Sequence, residues 1–409
     1  MRLSVVVSLL FSVIPLGLAA APPAPPPPPP PPSPPAPVSF TPDFTNVTVF
    51  TPPSTWGSKR TSYARKTVLR HDCSNTILAV FSASFPGPAS IPVFQSTDGG
   101  KTWSMLSQIF FNTGNYNGGS IAQPFIYELP EAVGKFPAGT ILASGNGIPQ
   151  GGASTNIEVH ASLDKGKTWE FVSLVATGAA PNTANGAHPI WEPFILYHQG
   201  QVGVFYSDQR DPLHGQKLAH QQSSDLITWG TVVDDVAMAN YTLRPGMTTI
   251  AQIGNGKNTK FMLSYELGLA PGPVPYAVGY RLSDSPFTFG DKADLQIVAS
   301  DGTVPAAGPY TIWSPVGGPQ GTIVVSDSTY AQVFTNTAGG DPAKWVKQEV
   351  APDQGISYTR SLTLMPDSQG KKVLFGNGGY YGLSSAFVTV GEWIIPGAPV
   401  KDEQCVPGA

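Results

Sequence analysis

Apolar and polar residues alternate along this chain in short runs broken by Gly, Pro, Asn and Asp, the period of half-buried strands. Two such runs joined by a polar turn recur along the chain. The pairs are Tyr63–Leu69 with Thr76–Ser82, Ala122–Leu129 with Thr140–Ser144, and Ile190–Tyr197 with Val202–Ser207. They continue as Met247–Gln252 with Lys260–Tyr265, Thr311–Val316 with Thr322–Ser326, and Tyr358–Leu364 with Lys372–Phe375. No stretch keeps the spacing of a long amphipathic helix.

A second pattern falls between these pairs. Ser96-Thr97-Asp98-Gly99-Gly100-Lys101-Thr102-Trp103 and Ser162-Leu163-Asp164-Lys165-Gly166-Lys167-Thr168-Trp169 both read S-x-D-x-G-x-T-W, the Asp-box (BNR) hairpin turn. In that turn the Asp side chain bonds turn backbone and the Trp packs beneath. Weaker copies stand at Ser223–Trp229 and Ser283–Phe289, with a remnant at Asn336–Trp345. Their aspartates recur about every sixty residues. The expected fold is all-β, a six-bladed β-propeller with Asp-box repeats on outer hairpins. Splitting the longer repeats into a seven-bladed ring is the alternative. Ring closure requires Val47–Phe50 to pair with the last strands around Ala386–Val390.

Composition narrows the class. Only 12% of the 409 residues are charged, and the 44 Gly and 43 Pro fit many turns. A net charge of −4 without a basic tract argues against a nucleic-acid partner. Met1-Arg2, the apolar run Leu3–Leu18 and the small residues after it read as a signal peptide over residues 1–20, with a signal anchor as the alternative. No later segment is apolar enough to span a membrane, so a secreted protein is expected. Residues 21–38 are a Pro-rich linker, read as an extended spacer rather than a PxxP ligand. The propeller is expected over residues 39–400, with a tail over 401–409. Cys73 and Cys405 are placed to tie the ends of a circular fold with one disulfide, two unrelated free thiols being the alternative. Asn46-Val47-Thr48 and Asn240-Tyr241-Thr242 are glycosylation sequons. A monomer without a cofactor is expected.

The chemistry is sought where inner strands converge on the channel. Arg65 in Ser62-Tyr63-Ala64-Arg65, Gln123 before Pro124, Glu192 in Trp191-Glu192-Pro193, Arg244 before Met247, and Arg360 in Ser357-Tyr358-Thr359-Arg360 stand at blade fronts. A carboxylate at the start of a buried strand is costly unless it is neutralised or used. Glu266 and Asp208 end matching strands of consecutive units, so Glu192 and Glu266 can approach one another. Paired carboxylates flanking a sugar bond are the working parts of glycoside hydrolases. His188, His214 and His220 form no metal spacing, and neither a phosphate loop nor a nucleophile-elbow serine is present.

Trp191-Glu192-Pro193-Phe194, Tyr206–Pro212, His214–Leu218, Arg244-Pro245-Gly246-Met247 and Ser264-Tyr265-Glu266 together resemble the fungal exo-arabinanases of glycoside hydrolase family 93. The resemblance extends through Tyr63-Ala64-Arg65 and Gln123–Pro130 and covers residues 40 to 395. It implies cleavage of α-1,5-linked L-arabinan from a chain end, releasing arabinobiose with retention. It also implies Glu192 as acid/base and Glu266 as nucleophile, with Arg65, Asp208, Arg210, Lys217, Tyr358 and Arg360 lining subsites or positioning the acids. Gly118–Ile121 and the Leu269–Pro275 loop depart from the family's pattern. A sialidase, using Arg65, Arg244 and Arg360 to grip a carboxylate, is one alternative. A non-catalytic sugar-binding propeller is the other, although it would repeat one set of residues in every blade.

Overall fold

A computed structural model describes residues 41–71, 73–254, 256, 259–350, 357–366, 368–379 and 387–398. The expected signal peptide, linker and tail, and Cys405, lie outside the described residues, while Cys73 is held in a disulfide. Strand β1 (Val47–Phe50) stands apart in sequence from the sheet it joins. Blade one follows as β2 (Thr61–Val68), β3 (Ile77–Ala83), β4 (Ser90–Ser96) and β5 (Ser104–Phe110). Blade two is β6 (Ser120–Glu128), β7 (Ile141–Ile148), β8 (Thr155–Ser162) and β9 (Glu170–Gly178). Blade three is β10 (Ile190–His198), β11 (Gln201–Asp208), β12 (Lys217–Ser223) and β13 (Val233–Val236).

Blade four is β14 (Arg244–Ile253), β15 (Lys260–Gly268), β16 (Ala277–Ser283) and β17 (Leu295–Gln296). Blade five is β18 (Tyr310–Ser314), β19 (Thr322–Ser326), β20 (Val333–Asn336) and β21 (Val346–Gln348). Blade six is β22 (Ser361–Leu364), β23 (Lys372–Asn377) and β24 (Val388–Ile394), completed on its outer edge by β1. Val47 faces Val390 and Phe50 faces Val388, the closure expected from the sequence. Pairing the first strand into the last sheet covers the edge of β24 with a shorter strand and locks the ring.

The propeller therefore has six blades, and the inner strands follow one another around the channel, β22 returning to β2. Buried apolar side chains on both faces of the sheets form the clusters between blades. The hairpin turns explain the repeat. Asp98 Oδ1 accepts from the backbone N–H of Lys101 at 3.0 Å and of Thr102 at 2.9 Å, and Trp103 Nε1 donates to the Gly100 carbonyl at 2.9 Å. The Thr102 hydroxyl first, then the Thr102 N–H, the Ser96 hydroxyl and the Lys101 N–H, hold the exposed Asp98 carboxyl down at about 2 by hydrogen bonding. Asp164 and Asp225 cap their turns in the same way. At the remnant, Asn336 Oδ1 takes over the task, accepting from Ala338 and Gly340.

Candidate active site

Four inner strands share one irregularity near the channel mouth. Between Trp191, opposite Ser207, and Phe194, opposite Phe205, β10 carries one residue more than β11. The same bulge lies between Ser62 and Arg65, between Ala122 and Phe125, and between Gly246 and Thr249. In each, one residue takes a positive φ: Tyr63 at 52°, Gln123 at 54°, Glu192 at 63° and Met247 at 59°. Left-handed backbone at a side-chain-bearing residue costs about 1–3 kcal/mol, and a bulge re-aims the residue it carries. Pro124 and Pro193 suit the position because a bulge leaves no ladder bond for a missing N–H to break.

The bulges converge Tyr63, Gln123 and Glu192 on a cavity of about 480 Å³, also lined by Thr183, Trp191, Gln216, Arg244, Glu266, Tyr276, Ala307 and Tyr358. Glu192 Oε2 accepts from the Met247 N–H at 2.9 Å and the Ser207 hydroxyl at 3.0 Å, while Oε1 accepts from Tyr63 at 3.3 Å. Glu266 accepts from the Gly308 N–H at 2.6 Å and from the Tyr358 hydroxyl at 3.2 Å. The two acids meet over Gly246. A methyl built there would lie 3.5 Å from Glu192 Oε2 and 3.7 Å from Glu266 Cγ.

Burial raises both carboxyls above the ordinary range. Glu266 is pushed up to about 8, by burial first and then by the charge of Glu192. Burial also raises Glu192, but the Met247 N–H, Ser207, Tyr63 and the Arg65 charge oppose it. The better-donated Glu192 is the natural seat of the charge and Glu266 of the proton.

Of the residues singled out from sequence, Gln123, Glu192, Glu266, Arg244 and Tyr358 come together at this cavity. The two Tyr-x-Arg segments do stand side by side: the Tyr63 N–H donates to the Tyr358 carbonyl at 3.3 Å, and their rings meet edge to face at 5.3 Å. Arg244 spreads its guanidinium over Asn185, Gln209 and Gln216, all neutral amides.

The other five are placed elsewhere. Arg65 lies beneath Glu192 in the channel, outside the cavity lining, and donates to Thr359. Arg360 is fully buried, its guanidinium on the Ala331 and Gln332 carbonyls and over the Phe375 ring. Asp208 and Arg210 bond each other at 2.7 Å, and Lys217 bonds Asp211 and Asp234 at 2.7 Å each. Strand alternation is the reason for Asp208: its neighbour Ser207 occupies the face toward Glu192. With Arg65 and Arg360 turned away, three arginines do not converge as a sialidase carboxylate grip requires.

Ser207, Gln216, Tyr276 and the Gly308 N–H escaped the sequence reading. For Ser207 and Gln216 the only signal was adjacency to Asp208 and Lys217; Tyr276 and Gly308 carried none. Among the described residues, Asp211, His214 and Asp234 could together hold a cation, but the Lys217 ammonium already bonds both carboxylates. A larger cavity of about 600 Å³ at the opposite mouth touches all six inner strands. It has no acid pair: Glu128 lines it and accepts from the backbone of Arg70 and His71.

No protein-family profile matches the chain, and no curated protein matches it. Solved structures do. An α-L-arabinofuranosidase of Fusarium graminearum in complex with an iminosugar inhibitor is 40% identical, with TM-score 0.78, over 86% of this chain and 97% of that one. The GH93 α-L-arabinofuranosidase of F. graminearum with arabinobiose is 41% identical, with TM-score 0.79, over 86% and 97%. A Penicillium chrysogenum α-L-arabinanase complexed with arabinobiose is 36% identical, with TM-score 0.79, over 87% and 98%. The NanB sialidase of Streptococcus pneumoniae matches at 11% identity and TM-score 0.56, a likeness of fold alone.

Proposed function

The chain belongs to glycoside hydrolase family 93, and from that premise we propose that it releases arabinobiose from the ends of α-1,5-linked L-arabinan by double displacement. Glu192 and Glu266 form the catalytic pair. One observation carries this reading: two carboxyls on adjacent blades face each other over a side-chain-free Gly246, inside one cavity, with unequal hydrogen bonding. In a retaining reaction one carboxylate attacks the anomeric carbon while the other carboxyl protonates the departing oxygen. Water then enters, and the second group, now a base, takes its proton. Tyr358 and the Gly308 N–H orient Glu266; Tyr63, Ser207 and the Met247 N–H orient Glu192. Trp191 and Tyr276 supply aromatic walls on which a furanose can rest, and Arg244 faces its hydroxyls as a donor. We further propose that the protein acts outside the cell, from the charged, apolar and small-residue pattern of residues 1–20.

Product analysis on linear arabinan tests the activity. Arabinobiose is expected as the first product, with α configuration by NMR before mutarotation and no release from a sialoside. Activity confined to the sialoside, or a β product, refutes the reading.

The pH dependence follows from the pair. Turnover needs one proton shared between the two acids, whichever carries it. Below the raised value of Glu192 both are protonated and no nucleophile is left; above about 8 Glu266 loses the proton the leaving group needs. A bell-shaped profile of kcat/KM is expected, with its basic limb near 8. A rate still flat at pH 10 excludes a carboxyl acid at this site.

A further inference from the structure

Directly beneath Glu192 the channel encloses a small space of about 10 Å³, close to what one water centre requires. Its polar lining is Tyr63, Arg65, Gln123, Glu192 and Thr248. Thr248 is 4% exposed, and its hydroxyl has no hydrogen-bond partner. A buried hydroxyl left without a partner costs about 1–3 kcal/mol, so it marks a polar occupant. Arg65, 5% exposed, borders the same space. Its guanidinium is fixed by Thr359 and lies over the Tyr310 ring at 5.1 Å.

Resting on the catalytic pair above, we propose that one buried water, bonded by Thr248 and Arg65, sits under Glu192 and makes Arg65 a positioning residue that holds Glu192 charged. Arg65 reaches no sugar. It acts from the channel side, opposite to the face at which the anomeric carbon arrives. The water relays the guanidinium's positive field to the carboxylate, while hydrogen bonds from Tyr63, Ser207 and the Met247 N–H hold the carboxylate in place. The other charged or titratable groups facing Glu192 are Tyr63, Arg244, Glu266 and Tyr358. Arg65 and Arg244 are the cations among them, and Arg244 is already spread over amides at the rim.

Arg65→Met, Arg65→Lys and Thr248→Val test the proposal in the full chain, each first checked for a cooperative thermal melt. With Arg65→Met, KM on linear arabinan is expected within about twofold, since no sugar contact is lost. The acid limb should move up by about one to three pH units, the usual influence of a neighbouring cation on a carboxyl. Arg65→Lys should return most of that shift, and Thr248→Val should reproduce a smaller one. Infrared titration of the carboxyl band that disappears in Glu192→Gln reads the same shift without turnover. A wild type inactive on arabinan, with the band still shifted in Arg65→Met, removes the proposed substrate and leaves the positioning role standing. A tenfold rise in KM with an unmoved acid limb makes Arg65 a sugar ligand and overturns the proposal. Lost activity with neither limb nor band moved makes it merely structural, which overturns it equally.

Discussion

Glu192→Ala and Glu266→Ala each lower kcat on linear arabinan by about 10³-fold or more, in the upper part of the 10²–10⁴ range of one positioned proton-transfer group. Both keep a cooperative thermal melt, because neither carboxyl is a packing element. Glu266 sits buried at a cost, and removing a strained functional group tends to leave stability intact. Azide added with an aryl arabinobioside then reads the order within the pair. An enzyme lacking its nucleophile lets azide attack from that side and yields the β-glycosyl azide; one lacking its acid/base yields the α-azide. The three hydrogen bonds that Glu192 accepts favour it as the charged member of the pair, and so predict the β-azide from Glu192→Ala and the α-azide from Glu266→Ala. That is the reverse of the order implied by the resemblance. The opposite pair of products restores that order and requires the proton to pass from Glu266 to Glu192 as sugar binds. Near-wild-type turnover in either variant ends the two-carboxylate assignment.

Gly246→Ala lowers kcat/KM by about 10²-fold, the scale of an ångström's misplacement in an active site, while the protein stays folded. The new methyl would stand 3.1 Å from Gln216 Nε2 as well as within 4 Å of both acids. It takes up the space in which the proposed reaction seats the anomeric centre and adds apolar surface beside two carboxyls, which pushes both further up. Gly246 has no positive φ, so the backbone itself accepts alanine. Steady-state kinetics beside a thermal melt check this. Full activity in the alanine variant shows that the sugar does not pass between the acids over this residue.

The blade repeat was legible because it is local. S-x-D-x-G-x-T-W makes its turn from its own hydroxyl, carboxylate and indole, so Asp98 and Asp164 could be assigned without neighbours. Strand alternation placed six strand pairs, and ring closure by Val47–Phe50 followed from counting them. The sequence by itself thus determined the propeller and the adjacency of Glu192 and Glu266 on consecutive blades. Which polar residues face the channel was decided only by the tertiary structure. Each bulge inserts one residue and reverses the in-and-out phase of its strand, so the two-residue period cannot be carried through Tyr63, Gln123, Glu192 or Met247. That is why Ser207, rather than Asp208, meets Glu192, and why Arg65 lines the small space beneath Glu192 rather than the larger cavity. Arg360 and Lys217 found partners on other strands and loops that the sequence does not rank, and Arg210 is taken up by Asp208 two residues before it. A charge's role is set by the partner that desolvates with it, and that partner is known only once the ring has closed.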